Sequence, residues 1–383
     1  METMQAWFGL KDEHNDFAIE TDADARLFFA RHELNRQLMG LLRRSFRTGN
    51  PPKMVLYGDW GVGKTHTMRH LEYVIETTDE FPARVVFREL PDITSKSTFQ
   101  VAHAALLDAL GFELARDWMK KFMTKHPDDF EEIIKERTQS GDIAAAFGLI
   151  LVGRGDSSRS AWDWLRGVTL SAADARSAGL GPALSQSNEF VRVLQLLGFL
   201  CSEAEDKMLV FMLDEATKLD AVVNQDSIHH WTNALKLIAD QQTKEIGFVA
   251  SGSWIDLENM AYSLQDQQVV SRFGESHYIM LHRMNEDETR EFIRSLLSEW
   301  VDSDKRVDLI NQFGSETQGE EVDEGTFPFT NEGLELAVQY ACRTGGSTLP
   351  RDIQQTLDDL LNRAIDEQRR ILSHGYVSSV VNA

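Results

Sequence analysis

Lys53-Met-Val-Leu-Tyr57 runs directly into Gly58-Asp-Trp-Gly61-Val-Gly63-Lys64-Thr65, and a helical pattern continues from His66 to Thr78. The order is strand, glycine loop, helix. Gly58, Gly63, Lys64 and Thr65 satisfy the spacing G-x-x-x-x-G-K-T, in which glycines let backbone N–H groups close around phosphate oxygens at a helix N-terminus. The spacing therefore predicts that Gly58, Asp59, Trp60, Gly61, Val62, Gly63, Lys64, Thr65 and His66 bind the phosphates of a nucleotide, expected to be ATP with Mg²⁺. Lys64 is expected to reach the β- and γ-phosphates. Thr65 is expected to offer its hydroxyl to Mg²⁺, an ion that keeps waters and borrows one or two protein oxygens plus phosphate oxygens.

Such a loop calls for a second, acidic strand end. Met208-Leu-Val-Phe-Met-Leu-Asp214-Glu215 supplies one, an apolar run ending abruptly in two carboxylates. Asp214 is expected to bind Mg²⁺ directly or through water, and Glu215 to orient and polarise the water attacking the γ-phosphate. Arg84-Val-Val-Phe-Arg-Glu-Leu90 lies between the two motifs as another strand, and Glu245-Ile-Gly-Phe-Val-Ala-Ser251-Gly-Ser253 follows them. The polar end of this later strand offers Ser251 or Ser253 to the γ-phosphate or the attacking water.

From here the order of motifs resembles AAA+ ATPases of the initiator-like group, in which that hydroxyl position is called sensor 1. Ser271-Arg272-Phe273, ahead of His277-Tyr-Ile-Met-Leu281, looks like the arginine-finger box of those proteins. The resemblance implies that Arg272 reaches the γ-phosphate held by a neighbouring subunit. Leu281-His-Arg-Met-Asn-Glu-Asp-Glu-Thr-Arg and Phe329-Thr-Asn-Glu-Gly resemble the helical lid of the same group, and Gly345-Gly-Ser-Thr-Leu-Pro350-Arg351 resembles its sensor 2 turn, which implies Arg351 over the nucleotide. Thr348 and Leu349 put that turn two residues off the family's Gly-x-Pro-Arg pattern. Phe8-Gly-Leu-Lys, Asn15-Asp-Phe17 and Arg31-His-Glu-Leu-Asn-Arg-Gln-Leu38 look like the start of the AAA+ ATPases that serve transposition and type II secretion, relatives of the origin-recognition ATPases. In them the upstream segment packs near the adenine; Arg31 to Leu38 reads equally as a plain amphipathic helix. The resemblance covers residues 5–110 and 188–370. Trp164-Leu-Arg-Gly167 with the segment Leu170 to Leu180 adds a short likeness to phage-defence ATPases.

The expected fold is α/β, a P-loop parallel sheet with helices on both faces plus a small all-α lid. Strands are predicted at 54–57, 84–90, 208–213, 246–251 and 277–281, separated by helical patterns. The expected domains are an N-terminal segment at 1–50, an ATPase core at 51–283 with a helical insertion at about 113–187, a lid at 284–372 and a tail at 373–383. In the insertion, 127–137 and 141–152 read as helices around Gly153-Arg-Gly-Asp-Ser-Ser-Arg-Ser-Ala-Trp162-Asp-Trp164. Trp162 and Trp164, two apart, cannot share one helical face, which leaves core packing or a partner contact open. The tail after Ile371 reads as a short strand or a docking peptide.

Lys plus Arg, 39, less Asp plus Glu, 61, leaves −22, so the surface as a whole repels phosphate backbones and acidic membranes. DNA contact is then confined to local basic clusters, Arg43, Arg44, Arg47 with Lys53, and Arg116, Lys120, Lys121 with Lys125. Two cysteines, Cys201 and Cys342, in helical patterns support neither a disulfide framework nor a zinc quartet. No apolar stretch reaches the ~18 residues of a membrane helix and no basic leader opens the chain, so a cytoplasmic protein is expected. Expected partners are further copies of the chain, in a ring or filament, and an effector protein.

Overall fold

The computed structural model describes residues 3–14, 16–153, 156–181, 183–240, 244–317, 319–342 and 346–382. Asn15, Arg154, Gly155 and Gly345, quoted above, lie outside the described residues. In chain order the elements are α1 (Met4–Phe8), α2 (His32–Thr48), β1 (Lys53–Tyr57), α3 (Lys64–Thr77), β2 (Ala83–Glu89), α4 (Gln100–Leu110), α5 (Phe112–Lys125), α6 (Phe130–Thr138), α7 (Gly141–Val152), α8 (Asp156–Leu165), α9 (Ala172–Ala178) and α10 (Ser187–Glu205). They continue as β3 (Met208–Asp214), α11 (Gln225–Ala239), β4 (Ile246–Gly252), α12 (Tyr262–Gln265), α13 (Gln267–Phe273), β5 (Tyr278–Met280), β6 (Met284–Asn285), α14 (Glu286–Trp300), α15 (Ser303–Phe313), α16 (Asn331–Ala341), β7 (Ser347–Thr348), α17 (Pro350–Asp366) and α18 (His374–Val381). They fall into two compact units, one of residues 1–36, 59–70 and 281–383, the other of residues 37–58 and 71–280.

The second unit holds a five-stranded sheet in the order β2-β3-β4-β1-β5, parallel throughout. The sheet confirms the predicted P-loop α/β class. β1 and β4 are buried at every residue, which is why they read as unbroken apolar runs rather than as alternating patterns. Register sets Leu56 opposite Ser251 and Tyr57 opposite Gly252 on one side of β4, with Ala250 opposite Leu213 on the other, so β1, β3 and β4 end together. Between β2 and β3 the helices α4 to α10 pack on one another and reach the sheet through α4 and α10.

Trp162 and Trp164 are both buried on α8, so core packing is the reading that holds for them. They contribute to the same core as Trp118, Phe147, Phe190 and Phe211. His103 of α4 is fully buried here, its Nε2–H donating to the Leu165 carbonyl at 2.7 Å while Nδ1 has no partner among the described residues. Burial pushes its pKa down to about 4 from an ordinary value of 6.5. The folded state therefore binds fewer protons than the unfolded one, and the stability this ring lends is present above 6.5 and is lost as pH falls toward 4. Lowering the pH from 7 to 5 will cost about 2 kcal/mol through this one ring. Urea unfolding at both values checks it: a His103→Gln variant should show a shallower loss, and an unchanged slope would remove His103 as the source.

The first unit packs α14, α16, α17 and α18 with the N-terminal residues around Phe8, Leu10, Phe292, Leu296, Trp300, Phe329, Leu334 and Leu357. Chain residues near the N-terminus are thus part of the helical unit: Leu10 bridges Val301, and the Trp7 indole N–H donates to the Arg369 carbonyl at 2.8 Å. Two expectations are corrected. The lid is not all-α, since β6 and β7 form a short antiparallel ladder pairing Met284 with Thr348 and Asn285 with Ser347. Of the two readings of the tail, the strand is corrected: the tail is a helix, α18, capped by Ser373 accepting from the Tyr376 N–H, with Val377 buried and the helix packed on α16.

Candidate functional site

In the first unit, the glycine loop is held by cations turned onto its backbone. Gly61 and Gly63 have φ of +84° and +92°, a region that admits glycine and disfavours side chains. A Cβ on Gly63 would meet nothing within 4 Å, so the loop is open there, whereas one on Gly61 would touch Leu349 Cδ1 at 3.5 Å. α3 begins at Lys64, which puts the loop at a helix N-terminus. The buried Lys64 ammonium donates to the Asp59 carbonyl at 2.8 Å. Arg31 Nη2, also buried, donates to the Val62 carbonyl at 2.8 Å. The Asp59 carboxylate accepts from Arg283 and, at 2.8 Å, from the Trp60 N–H; the Arg283 guanidinium holds this carboxyl below the usual carboxylate range. Trp60 is 63% exposed, and the Arg351 guanidinium lies 4.3 Å from its ring centroid.

The segment before α2 lies against the first turns of α3. Phe28 stacks on His66 at 6.4 Å and His70 at 4.6 Å, and the two imidazoles face the Asp24 and Ala25 carbonyls at 3.3 and 2.9 Å. Burial lowers the pKa of both. Arg69 pairs with Asp22 at 2.8 Å.

In the second unit, the acidic strand end is built as a buried carboxylate beside an exposed one. Asp214 is 4% exposed and accepts from the Ser251 hydroxyl, while its carbonyl receives the Leu90 N–H at 2.9 Å. Glu215 is exposed and left-handed, with φ +57° and ψ +31°. A non-glycine residue there costs about 1–2 kcal/mol. The chain turns at this residue, and the loop after β4 is fastened to the turn that follows: the Ser253 N–H donates to the Thr217 hydroxyl, and the Trp254 indole N–H donates to both Asp220 oxygens at 3.1 Å. Any side chain at Gly252 would collide with the Trp254 ring at 2.2 Å, so the strand must end in glycine for that ring to fold back. Among the described residues no cluster of three or more His, Cys, Asp or Glu could hold a metal. Thr65 in the first unit and the buried Asp214 in the second are each of the oxygen-donor chemistry that Mg²⁺ takes.

The profile of the family described as "AAA ATPase domain" matches residues 27–226, just over half of the chain. The chain belongs to the AAA ATPase domain family. Hydrolysis of ATP is the chemistry of that family, and the five-stranded sheet with its glycine loop is the fold expected of it. No curated protein sequence matches this AAA ATPase. Among solved structures, it is similar to the Aeropyrum pernix ORC1 protein in complex with DNA, with 13% identity and a TM-score of 0.45 over 92% of this chain and 65% of that one. It is similar also to Cdc6p from Pyrobaculum aerophilum, with 14% identity and a TM-score of 0.47 over 95% and 69%. The Thermotoga maritima RuvB Holliday junction branch migration motor aligns with 11% identity and a TM-score of 0.41 over 93% and 70%. The chain thus spans about two thirds of the length of these structures.

Of the residues the sequence nominates in this AAA ATPase, Asp59, Trp60, Gly61, Val62, Gly63, Lys64, Thr65 and His66 lie together with Arg351 in the first unit, and Asp214, Glu215, Ser251, Ser253 and Arg272 lie in the second, with Gly58 at its boundary. Of the two serines, Ser251 directs its hydroxyl to Asp214, while Ser253 is tied through its backbone. Arg272 stands exposed in the last turn of α13, its guanidinium donating to the Lys236 carbonyl at 3.2 Å. The sequence reading missed Arg31 as a loop contact, Arg283, Thr217 and Trp254. Arg283 had a weak signal, an arginine just after the fifth strand; Arg31 had none beyond its place before α2.

Proposed function

We propose that this AAA ATPase is an ATP-dependent oligomeric switch that hydrolyses ATP with Mg²⁺ and acts with DNA and a recruited partner protein, in a transposition, loading or phage-defence setting. One observation carries the nucleotide reading: an open glycine loop, its carbonyls drawn onto buried cations, at the N-terminus of α3. Lys64 neutralises the β- and γ-phosphates, Thr65 and Asp214 hold Mg²⁺, and Ser251 keeps Asp214 oriented. Glu215, exposed beside that buried aspartate, polarises the attacking water. Arg351, stacked on Trp60, is the lid arginine, and leaves that ring to reach phosphate. Arg272 completes the site of a neighbouring copy.

A second reading, a slow-turnover nucleotide-gated scaffold that binds no DNA, draws support from the surface charge. Arg43 pairs with Glu80 at 2.7 Å and Lys121 with Asp117 at 2.8 Å, so a carboxylate already engages one of the four cations in each basic cluster. ATPase rate against protein concentration, with and without duplex and single-stranded DNA, separates the two. A rate that rises faster than linearly and increases with DNA supports the switch; a low, concentration-independent rate indifferent to DNA supports the scaffold.

Glu215→Gln separates binding from chemistry. It removes the base while Asp214 still serves the metal, so turnover should fall by at least about 10²-fold with ADP and ATP affinity retained, trapping an ATP-bound, assembled state. Steady-state rate at saturating ATP is the measurement, and undiminished hydrolysis sinks the role given to Glu215.

A further inference from the structure

We infer that Arg31 is a positioning residue of the glycine loop: by holding the Val62 carbonyl, it fixes the Val62–Gly63 peptide so that the Gly63 N–H is presented to a nucleotide phosphate. The inference rests on the nucleotide reading above and names a residue that reading does not use.

The argument starts from the peptide itself. A trans peptide is planar, and its C=O and N–H point in opposite directions. Whatever binds the Val62 oxygen therefore decides where the Gly63 N–H points. Arg31 Nη2 lies 2.8 Å from that oxygen. Gly63, at φ +92°, has the freedom to flip this peptide, and the space beside it is open, so local packing does not fix the choice. A charged donor does. The Asp59 carbonyl, three residues earlier, is likewise drawn onto a cation, Lys64, at 2.8 Å. When a phosphate recruits Lys64, Arg31 remains as the anchor on the backbone.

A surface ion pair would explain neither the placement nor the cost. Arg31 is 8% exposed, and burial pushes its pKa down to about 10, offset in part by Glu288, so it stays protonated at neutral pH. Burying a guanidinium is costly unless its donors are used. The chain enters α2 through Ala30, itself left-handed at φ +59° and 4% exposed, so the backbone is bent at some expense where this side chain is delivered. The buried cation also adds positive potential on the carbonyl side of the loop, where a polyphosphate gains from it.

The test uses the full chain, a fluorescent ADP analogue, and competition by ADP, ATP and adenosine. Arg31→Met should raise the Kd for ADP and ATP about 10-fold or more, leave competition by adenosine unchanged, and leave the melting temperature of the nucleotide-free protein within a few degrees. Arg31→Lys, which keeps a charged donor, should recover most of the loss. Wild-type ADP affinity in Arg31→Met, or an equal loss for adenosine, overturns the inference. If Arg31→Met does not fold, Arg31→Gln, which removes the charge but keeps a polar side chain, decides: weaker ADP with unaltered adenosine upholds the positioning role, and unchanged ADP affinity assigns Arg31 to the fold alone. Lys64→Ala tells this failure from that of the nucleotide reading. Wild-type protein that binds no ADP, or binding that survives Lys64→Ala, ends the reading itself; binding lost in Lys64→Ala but intact in the Arg31 variants ends only the inference.

Discussion

Lys64→Ala will leave the protein folded and bring ATP turnover to background, with ADP and ATP affinity too weak to saturate. The ammonium is buried at the start of α3 and donates to a carbonyl of the loop it serves. In a water-poor site, a cation facing a triphosphate stabilises far more than one at the surface, and it does so increasingly as charge develops on the transferred group. No other side chain of the loop can replace it, since Asp59 carries the opposite charge and is engaged by Arg283. The fold should survive because β1 keeps both of its neighbours and α3 its first-turn backbone. Coupled-assay rate, ADP titration and thermal melting on the same preparation test this together. Normal turnover in a correctly folded variant rejects the site.

What was legible beforehand follows from the range of the forces involved. All five strands of the parallel sheet were readable within one or two residues, because a strand buried on both faces announces itself as a short apolar run bounded by polar or turn residues. Phe292, Leu296, Leu297, Leu334 and Val338 recur at three- and four-residue steps, the spacing of a helix face that packs into a core, and all five are buried. The tail misled because Val377, Val380 and Val381 are β-branched and favour strands as isolated residues. The Ser373 cap and the burial of Val377 outweighed that preference. The two-residue ladder of β6 and β7 leaves no periodicity to detect. The partners of Arg31 and Arg283 and the Arg351–Trp60 stack were out of reach for a different reason. Each joins residues far apart in sequence, and an arginine entering such a contact looks, in a string of letters, like one facing water. Ser251 and Ser253 differ by one residue on either side of Gly252, and only the register of β4 against its neighbours assigns the first to Asp214.

In the proposed switch Arg272 links chemistry to assembly, and its loss should be as damaging as that of Lys64 by a route that leaves nucleotide in place. It stands exposed at the end of α13, held among the described residues by a carbonyl, which is the arrangement of a side chain that a stronger acceptor can draw away. A γ-phosphate on a neighbouring copy is such an acceptor, and a finger arginine is worth about 10³–10⁵ in rate because it meets charge that develops only in the transition state. Arg272→Ala should therefore retain ATP while turnover falls about 10³-fold, and wild-type activity should rise faster than linearly with enzyme concentration. Mixing makes the test sharper. Arg272→Ala protomers keep their own glycine loop, and Lys64→Ala protomers keep their finger, so two inactive preparations combined should recover hydrolysis at the mixed interfaces. Neither can do so alone, and a structural role for Arg272 predicts no recovery at any ratio. Absence of rescue in mixtures that light scattering shows to co-assemble would place the arginine's effect within its own chain, and the slow-turnover scaffold would then be the better account of the protein.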